Sequence, residues 1–216
     1  MVNVLSNTNT ILNQFIAEIR DAEIQKDSMR FRRNLERIGE IFAYEISKQL
    51  AYESKEVVTS LGIANVPVLA DYPVLATILR AGLPFHQGFL NFFDKSENAF
   101  VSAYRKYHKD HSFTIQVEYA SAPDIEGKEL ILTDPMIATG ASTLLTYKEL
   151  LAKGKPTHTH LVGILASQEG LDYLMKNLSR NNVTIWVGAV DAELTAQAYI
   201  VPGLGDAGDL AFGKKI

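Results

Sequence analysis

The strongest constraint on this chain is a set of short apolar runs with almost no polar alternation, at residues 74–79, 129–133, 158–166 and 183–190. A strand with one wet face alternates apolar and polar side chains, so a run without alternation must be covered on both sides. Helical patterns at residues 83–93, 141–153 and 169–177 interleave with these runs. That order predicts an α/β fold, a mostly parallel sheet with helices on both faces. Residues 99–104 read as a further strand, 108–118 as a small exposed β excursion, and 57–60 and 66–69 as short β stretches. In front stands a long amphipathic helix at 28–53, within a helical segment 27–56. Phe31, Leu35, Ile38, Phe42, Ile46 and Leu50 recur along it at three- and four-residue steps, with Arg32, Arg33, Glu36, Arg37 and Glu40 on other faces. The 216 residues fit a single domain that closes with a loop at 199–213.

Composition removes several classes of chemistry. The chain has no cysteine, so disulfide frameworks, thiol nucleophiles and cysteine-bound metal are excluded. Its 25 acidic side chains exceed 21 basic ones, for a net charge of −4, the opposite of a protein that neutralises nucleic-acid phosphates. Asn3, Ser6, Asn7, Thr8, Asn9 and Thr10 fall where an export signal needs an unbroken apolar core. No apolar run approaches the roughly 18–20 residues of a membrane span. The expectation is a cytoplasmic protein with neither nucleic-acid nor membrane partners.

In a parallel sheet, ligands sit outside the carboxyl ends of the strands. Three loops there carry chemistry. At 131–143 a buried strand delivers Asp134, then a run of small residues, then a helix start. Open N–H groups and the helix dipole favour an anion at such a start, and Thr139, Ser142 and Thr143 add hydroxyls. Asp134 has the reach to hold the hydroxyls of a ribose. The competing reading is an ordinary helix cap by Thr139 or Ser142. At 78–83, Arg80 followed by Ala81-Gly82 suits a loop that grips a pyrophosphate, and Arg105, just past another strand, could reach the same anion. Two solvated arginines are the alternative. At 199–209, Gly203, Gly205 and Gly208 form a literal G-x-G-x-x-G, which fails as a dinucleotide fingerprint because it does not open a helix within a βαβ unit. The segment instead offers approachable main chain, with Asp206 and Asp209, for a flat ligand, or it is a plain loop. His108/His111 and His158/His160 lack the partners of a metal motif and read as packed or exposed, and Trp186 reads as core.

Asp134 to Ser142 resembles the phosphoribosyl-pyrophosphate motif of type I phosphoribosyltransferases, in the Asp-Pro-Met-x-Ala-Thr-Gly form typical of uracil phosphoribosyltransferases. Tyr199 to Asp209 is similar to that family's uracil loop almost residue for residue, and Ile78 to Gly82 to its pyrophosphate loop. Met29 to Arg32 and Ala43 to Glu45 resemble its first long helix. The resemblance implies transfer of the 5-phosphoribosyl group from 5-phosphoribosyl 1-diphosphate to uracil, giving UMP and diphosphate in pyrimidine salvage.

It also implies roles. Asp134, Pro135, Met136, Ile137, Ala138, Thr139, Gly140, Ala141 and Ser142 would bind the ribosyl donor, with Asp134 on the ribose and Ala138 to Ser142 on the 5′-phosphate. Arg80 and Arg105 would grip the pyrophosphate. Asp206 would contact the donor through Mg2+ or its waters. Main chain of Ile200, Gly205, Asp206 and Ala207 would read uracil. A homodimer or larger assembly and GTP as a candidate effector are implied as well. No general base for uracil N1–H is singled out. Departures from the family pattern are Ala141 in place of a second glycine, Leu210-Ala211, the 84–87 stretch and 106–111. Two other hypotheses have sequence tests. A purine or orotate transferase would lack the glycine-rich loop at 203–209 and show two adjacent acids where Asp134-Pro135 stand. An RNA-binding regulator on the same fold would need a basic face, which the net charge of −4 argues against.

Overall fold

In the computed structural model, which describes residues 2–107 and 113–214, the strands are β1 (Val2–Val4), β2 (Tyr52–Thr59), β3 (Gly62–Leu69), β4 (Val74–Leu79), β5 (Asn98–Tyr107), β6 (Phe113–Ser121), β7 (Glu129–Thr133), β8 (Met136–Ile137), β9 (His158–Ser167), β10 (Val183–Asp191), β11 (Glu193–Leu194) and β12 (Ile200–Val201). The α-helices are α1 (Ile11–Arg20), α2 (Ser28–Ser47), α3 (Gly82–Leu90), α4 (Ala141–Leu151), α5 (Gln168–Asn177) and α6 (Ala207–Phe212). The main sheet runs β1-β10-β9-β7-β4-β5-β6, with β8 beside β9. Its pairings are parallel except β5 with β6.

The unalternating strands are covered on both sides, as their sequence requires. On one face Leu75, Ile131, Val162 and Trp186 join a core made with Leu12, Ile16 and Ile19 of α1, Phe31, Leu35, Ile38 and Phe42 of α2, and Phe85 and Phe89 of α3. Their sequence neighbours Ala76, Leu130, Leu132 and Leu161 point the other way, onto Leu144 and Leu150 of α4 and Leu171 and Leu174 of α5. Helices α2 and α3 meet through glycine. A Cβ on Gly39 would lie 2.3 Å from the Phe85 carbonyl oxygen, and one on Gly88 would lie 2.1 Å from that of Glu36.

Three elements differ from expectation. The long helix ends at Ser47, not at 53 or 56, because Tyr52, Val57, Val58 and Thr59 favour extended backbone and β2 forms a full ladder with β3. Leu50 remains buried, so it kept the helical spacing after the helix had stopped. The two short β stretches are halves of that hairpin. The polar N-terminus is not featureless. Val2–Val4 adds an edge strand beside β10, and a capping box of Thr10 and Asn13 starts α1. Helix α1 is tied to α2 by the nearly buried Glu18, which accepts from Arg30 Nε at 3.0 Å and Arg30 Nη2 at 2.9 Å, and from Asn34 Nδ2 at 2.7 Å. Those bonds hold its carboxyl down to about 2. The excursion near 108–118 includes β6; residues 108–112, with His108 and His111, lie outside the described residues.

Candidate active site

The chain leaves β4 for β5 on one side and β7 for β9 on the other, so the sheet's switch point falls between the paired strands β4 and β7. Arg80 follows β4 and Asp134 follows β7. The two strand ends are stitched together. Thr133 Oγ1 donates to the Ala76 carbonyl at 3.1 Å, and a Cβ on Gly82 would strike Thr77 Oγ1 at 2.1 Å. The Leu79–Arg80 and Val201–Pro202 peptides are cis.

Asp134 is partly buried. Its Oδ2 accepts from the Thr143 hydroxyl at 2.8 Å and its Oδ1 from the Met136 N–H at 3.3 Å. The next residues divide between scaffold and cup. The Pro135 carbonyl accepts from the N–H groups of Ile164 and Leu165, Met136 and Ile137 form β8 on β9, and the Ile137 side chain is core. Ala138 to Ser142 then lead into α4. Gly140, not Thr139 or Ser142, stands at the N-cap with φ +74°, and no side chain caps the helix there. Thr139 Oγ1 accepts only a long bond, 3.4 Å, from Ala141 N–H. An uncapped helix start beside a tight glycine turn is what an anion needs. The turn is braced from behind by Ser167, whose hydroxyl donates to the Ala138 carbonyl and accepts from Gly170 N–H.

The glycine-rich segment is more ordered than a loop. After β12 it turns at Gly203 and enters the short helix α6, capped by Asp206, whose Oδ1 accepts from Asp209 N–H at 2.9 Å. Ile200, Leu204 and Ala207 are buried in the core, so the main chain between them is pinned while Gly205 stays exposed. Arg32 of α2 donates to the Ala211 carbonyl at 2.6 Å and fixes α6 from outside. Arg80 crosses to this segment. Its Nη2 donates to Asp209 Oδ1 and to the Gly213 carbonyl, both at 3.2 Å, and its buried Nε has no partner among the described residues.

Arg80, the 134–142 cup and the Gly203–Asp209 segment thus lie at one end of the sheet or its margin. Arg105 lies within β5, opposite Ile115 of β6, and not past the strand as its sequence suggested. The bulge between Ser102 and Ala103 belongs to a strand that β6 extends. Thr143 and Asp209 were named from the sequence without their partners, Asp134 and Arg80, and Arg20 and Asp191 were not singled out. Asp191 carried a signal, an acid at the end of an apolar strand; Arg20 carried none. His158 and His160 pack ring to ring at 4.9 Å, and Trp186 Nε1 donates to His160 Nδ1 at 3.0 Å inside the core. Among the described residues no group of three or more His, Asp or Glu could hold a metal ion, and no helix is long and apolar enough to cross a membrane.

A solved hypoxanthine phosphoribosyltransferase from Staphylococcus aureus superposes over 76% of this chain and 76% of that chain, with a TM-score of 0.51 at 14% identity. Together with the switch-point loops, that likeness defines a phosphoribosyltransferase fold. A family profile described as uracil phosphoribosyltransferase matches residues 6–214, and the chain belongs to that family. Curated relatives named uracil phosphoribosyltransferase include one from Porphyromonas gingivalis, 55% identical over 98% of this chain and 98% of its own. Another, from Pyrococcus furiosus, is 36% identical over 94% of this chain and 86% of its own. The AQ2163 protein from Aquifex aeolicus superposes with a TM-score of 0.86 at 29% identity, over 99% of this chain and 98% of that chain.

Proposed function

We infer that this protein is a uracil phosphoribosyltransferase, joining uracil N1 to C1 of 5-phosphoribosyl 1-diphosphate as the C1–diphosphate bond breaks, with release of the N1 proton. The observation that carries the reading is the Arg80–Asp209 contact. It joins Arg80 to the glycine-rich segment across 129 residues of chain, which supports a reading in which the group proposed for the leaving anion stands beside the main chain proposed to read the base. In the proposed complex the turn and helix start at Ala138 to Ser142 take the 5′-phosphate and Asp134 takes the ribose hydroxyls; within that stretch Ala138 N–H already bonds the Met136 carbonyl and Ala141 N–H the Thr139 hydroxyl. Arg80, through its unpartnered Nε, and Arg105 take the diphosphate. Main chain of Ile200 and Gly205 to Ala207 reads uracil. Positive charge grows on the ribose and negative charge on the leaving group, so alignment and fixed charges supply the catalysis and no protein nucleophile is needed.

Mg2+ fits as an ion carried by the donor. The site offers two separate carboxylates, Asp134 and Asp206, and magnesium on phosphates is usually held by one or two carboxylates with the phosphates themselves. When bound it would neutralise the diphosphate. A homodimer or larger assembly is also proposed. Hairpin β2–β3 stands out as a two-stranded arm with Leu61 98% and Val58 84% exposed, and such a ribbon with apolar surface is marginal without something to cover it. The cytoplasmic setting rests on the composition and apolar patterning of the sequence, and a GTP effector on the family resemblance alone.

The test is competition among labelled uracil, cytosine and 5-fluorouracil for a common ribosyl donor with Mg2+. Cytosine exchanges donor and acceptor on the edge that fixed main chain must match, and each buried mismatch costs about 1–3 kcal/mol. Two mismatches give discrimination of at least about 10²-fold, while 5-fluorouracil keeps its edge and remains a substrate. Comparable use of cytosine, or preference for a purine, would overturn the uracil assignment.

A further inference from the structure

We propose that Arg20 and Asp191 are a positioning pair for uracil, holding the base-reading main chain at the required height and angle. The inference rests on the reading of the Ile200 to Ala207 segment as the base site. Arg20 is the last residue of α1 and Asp191 the last of β10. Two parallel bonds join them, Nη1 to Oδ2 at 2.8 Å and Nη2 to Oδ1 at 2.9 Å. Both partners then bond the same peptide neighbourhood. Arg20 Nη1 donates to the Gly203 carbonyl at 3.0 Å, and Asp191 Oδ2 accepts from the Gly203 N–H at 3.0 Å.

Gly203 is the turn from which the base segment leaves. Its φ is +52°, and a Cβ there would lie 2.1 Å from the Ile200 carbonyl oxygen, so the turn is tight and admits only glycine. With both polar groups of Gly203 gripped by one ion pair, the next residues depart in a fixed direction. Downstream the segment is held by the Asp206 cap of α6. Main-chain donors and acceptors discriminate only as well as they are aimed, and a fork of two bonds constrains rotation as a single bond does not. Asp191 is only 7% exposed and Arg20 22%, so solvent screens the pair weakly. Neither residue touches the 134–142 cup or Arg80 in any contact described above. The pair's bonds to the segment end at Gly203, next to the base-reading main chain, so its loss falls first on the base.

The experiment is steady-state kinetics of the intact enzyme with each substrate varied, for Asp191→Asn, Arg20→Gln and Arg20→Lys, beside thermal melting of each. Wild-type conversion of uracil to UMP is the control on the functional reading; without it that reading falls, whatever the variants do. Given that conversion, the expected result is a rise in uracil KM of about 10- to 150-fold in Asp191→Asn and Arg20→Gln, the range for one lost charge-assisted bond. Donor KM and kcat should stay near wild type, and Arg20→Lys should recover part of the uracil affinity. If Asp191→Asn does not fold, Arg20→Gln decides, since its side chain is replaced at a partly exposed helix end. An unchanged uracil KM overturns the proposal. So does an equal rise in both KM values, the signature of a general loosening.

Discussion

Asp134 has one task toward the scaffold and a second, toward the ligand, in the proposed complex. It anchors Thr143 and the Met136 N–H, and the proposal sets the same carboxylate against the ribose hydroxyls. Asp134→Asn keeps the shape but loses the charge, so folding should survive while kcat/KM for the donor falls by at least about tenfold. Donor kinetics near wild type would remove Asp134 from the site. Arg80→Ala should lower kcat/KM by about 10- to 150-fold, the value of one charge-assisted hydrogen bond at roughly 1.5–3 kcal/mol, and Arg105→Ala should fall in the same range. Unchanged kinetics for Arg80→Ala would leave it a structural role through its bonds to Asp209 and the Gly213 carbonyl. Asp134 and Arg80 stand out in the sequence because each is a charged side chain just past an apolar strand, followed by Pro135 in one case and Ala81-Gly82 in the other. Arg20 was not, since its partner lies 171 residues away and an arginine at a helix end has many solvated precedents.

The proposed phosphate cup is a property of elements more than of side chains. Its glycine N-cap leaves the start of α4 open, and α5 packs so closely behind that no larger residue fits. A Cβ at Gly140 would lie 2.7 Å from the Gly170 carbonyl and 3.0 Å from Leu174 Cγ. Gly140→Ala therefore meets a left-handed backbone and a clash together. It should cost at least about 1–2 kcal/mol from the backbone alone, and it should weaken donor binding as α4 and α5 separate. Urea unfolding and donor KM measure the two effects; a neutral substitution would show that the cup does not depend on that approach. At this scale the strand–helix order of the sheet and its two covered faces follow directly from apolar periodicity. The end of α2 did not, because Leu50 continues the helical spacing after β-branched residues have taken the chain into β2.

Across the whole molecule, two histidines tie stability to pH. Burial pushes the His86 imidazole below its ordinary value, against an opposing bond with Asn98, and burial with the neighbouring His160 does the same to His158. The unfolded chain takes up these protons at about pH 6.5 and the folded one only at lower pH. Between those values the unfolded state holds more protons, so stability is full above about pH 6.5 and is lost as pH falls. Urea midpoints should drop between about pH 7 and pH 5, and His86→Gln should flatten that slope. An unaltered slope in the variant would exclude His86 as a contributor. Assembly belongs to this scale too. Light scattering should report a dimer or larger species, and replacing Val58, Leu61 and Ile63 on the exposed arm with serine should shift it toward monomer. A wild-type monomer would contradict the proposed assembly.

Local chemistry determined much of this protein from its sequence alone. Unalternating apolar strands demand a sheet covered on both faces, small residues after a strand demand a close-approach turn, and neither requirement depends on distant residues. Only the folded chain decided what depends on long-range partners. It set Arg80 against Asp209, bound α6 to Arg32, and gave Gly203 the fork of Arg20 with Asp191. The physical reason is that a backbone preference is carried by each residue itself. A hydrogen bond to a group more than a hundred positions away exists only after packing has paid the entropy of bringing both ends together.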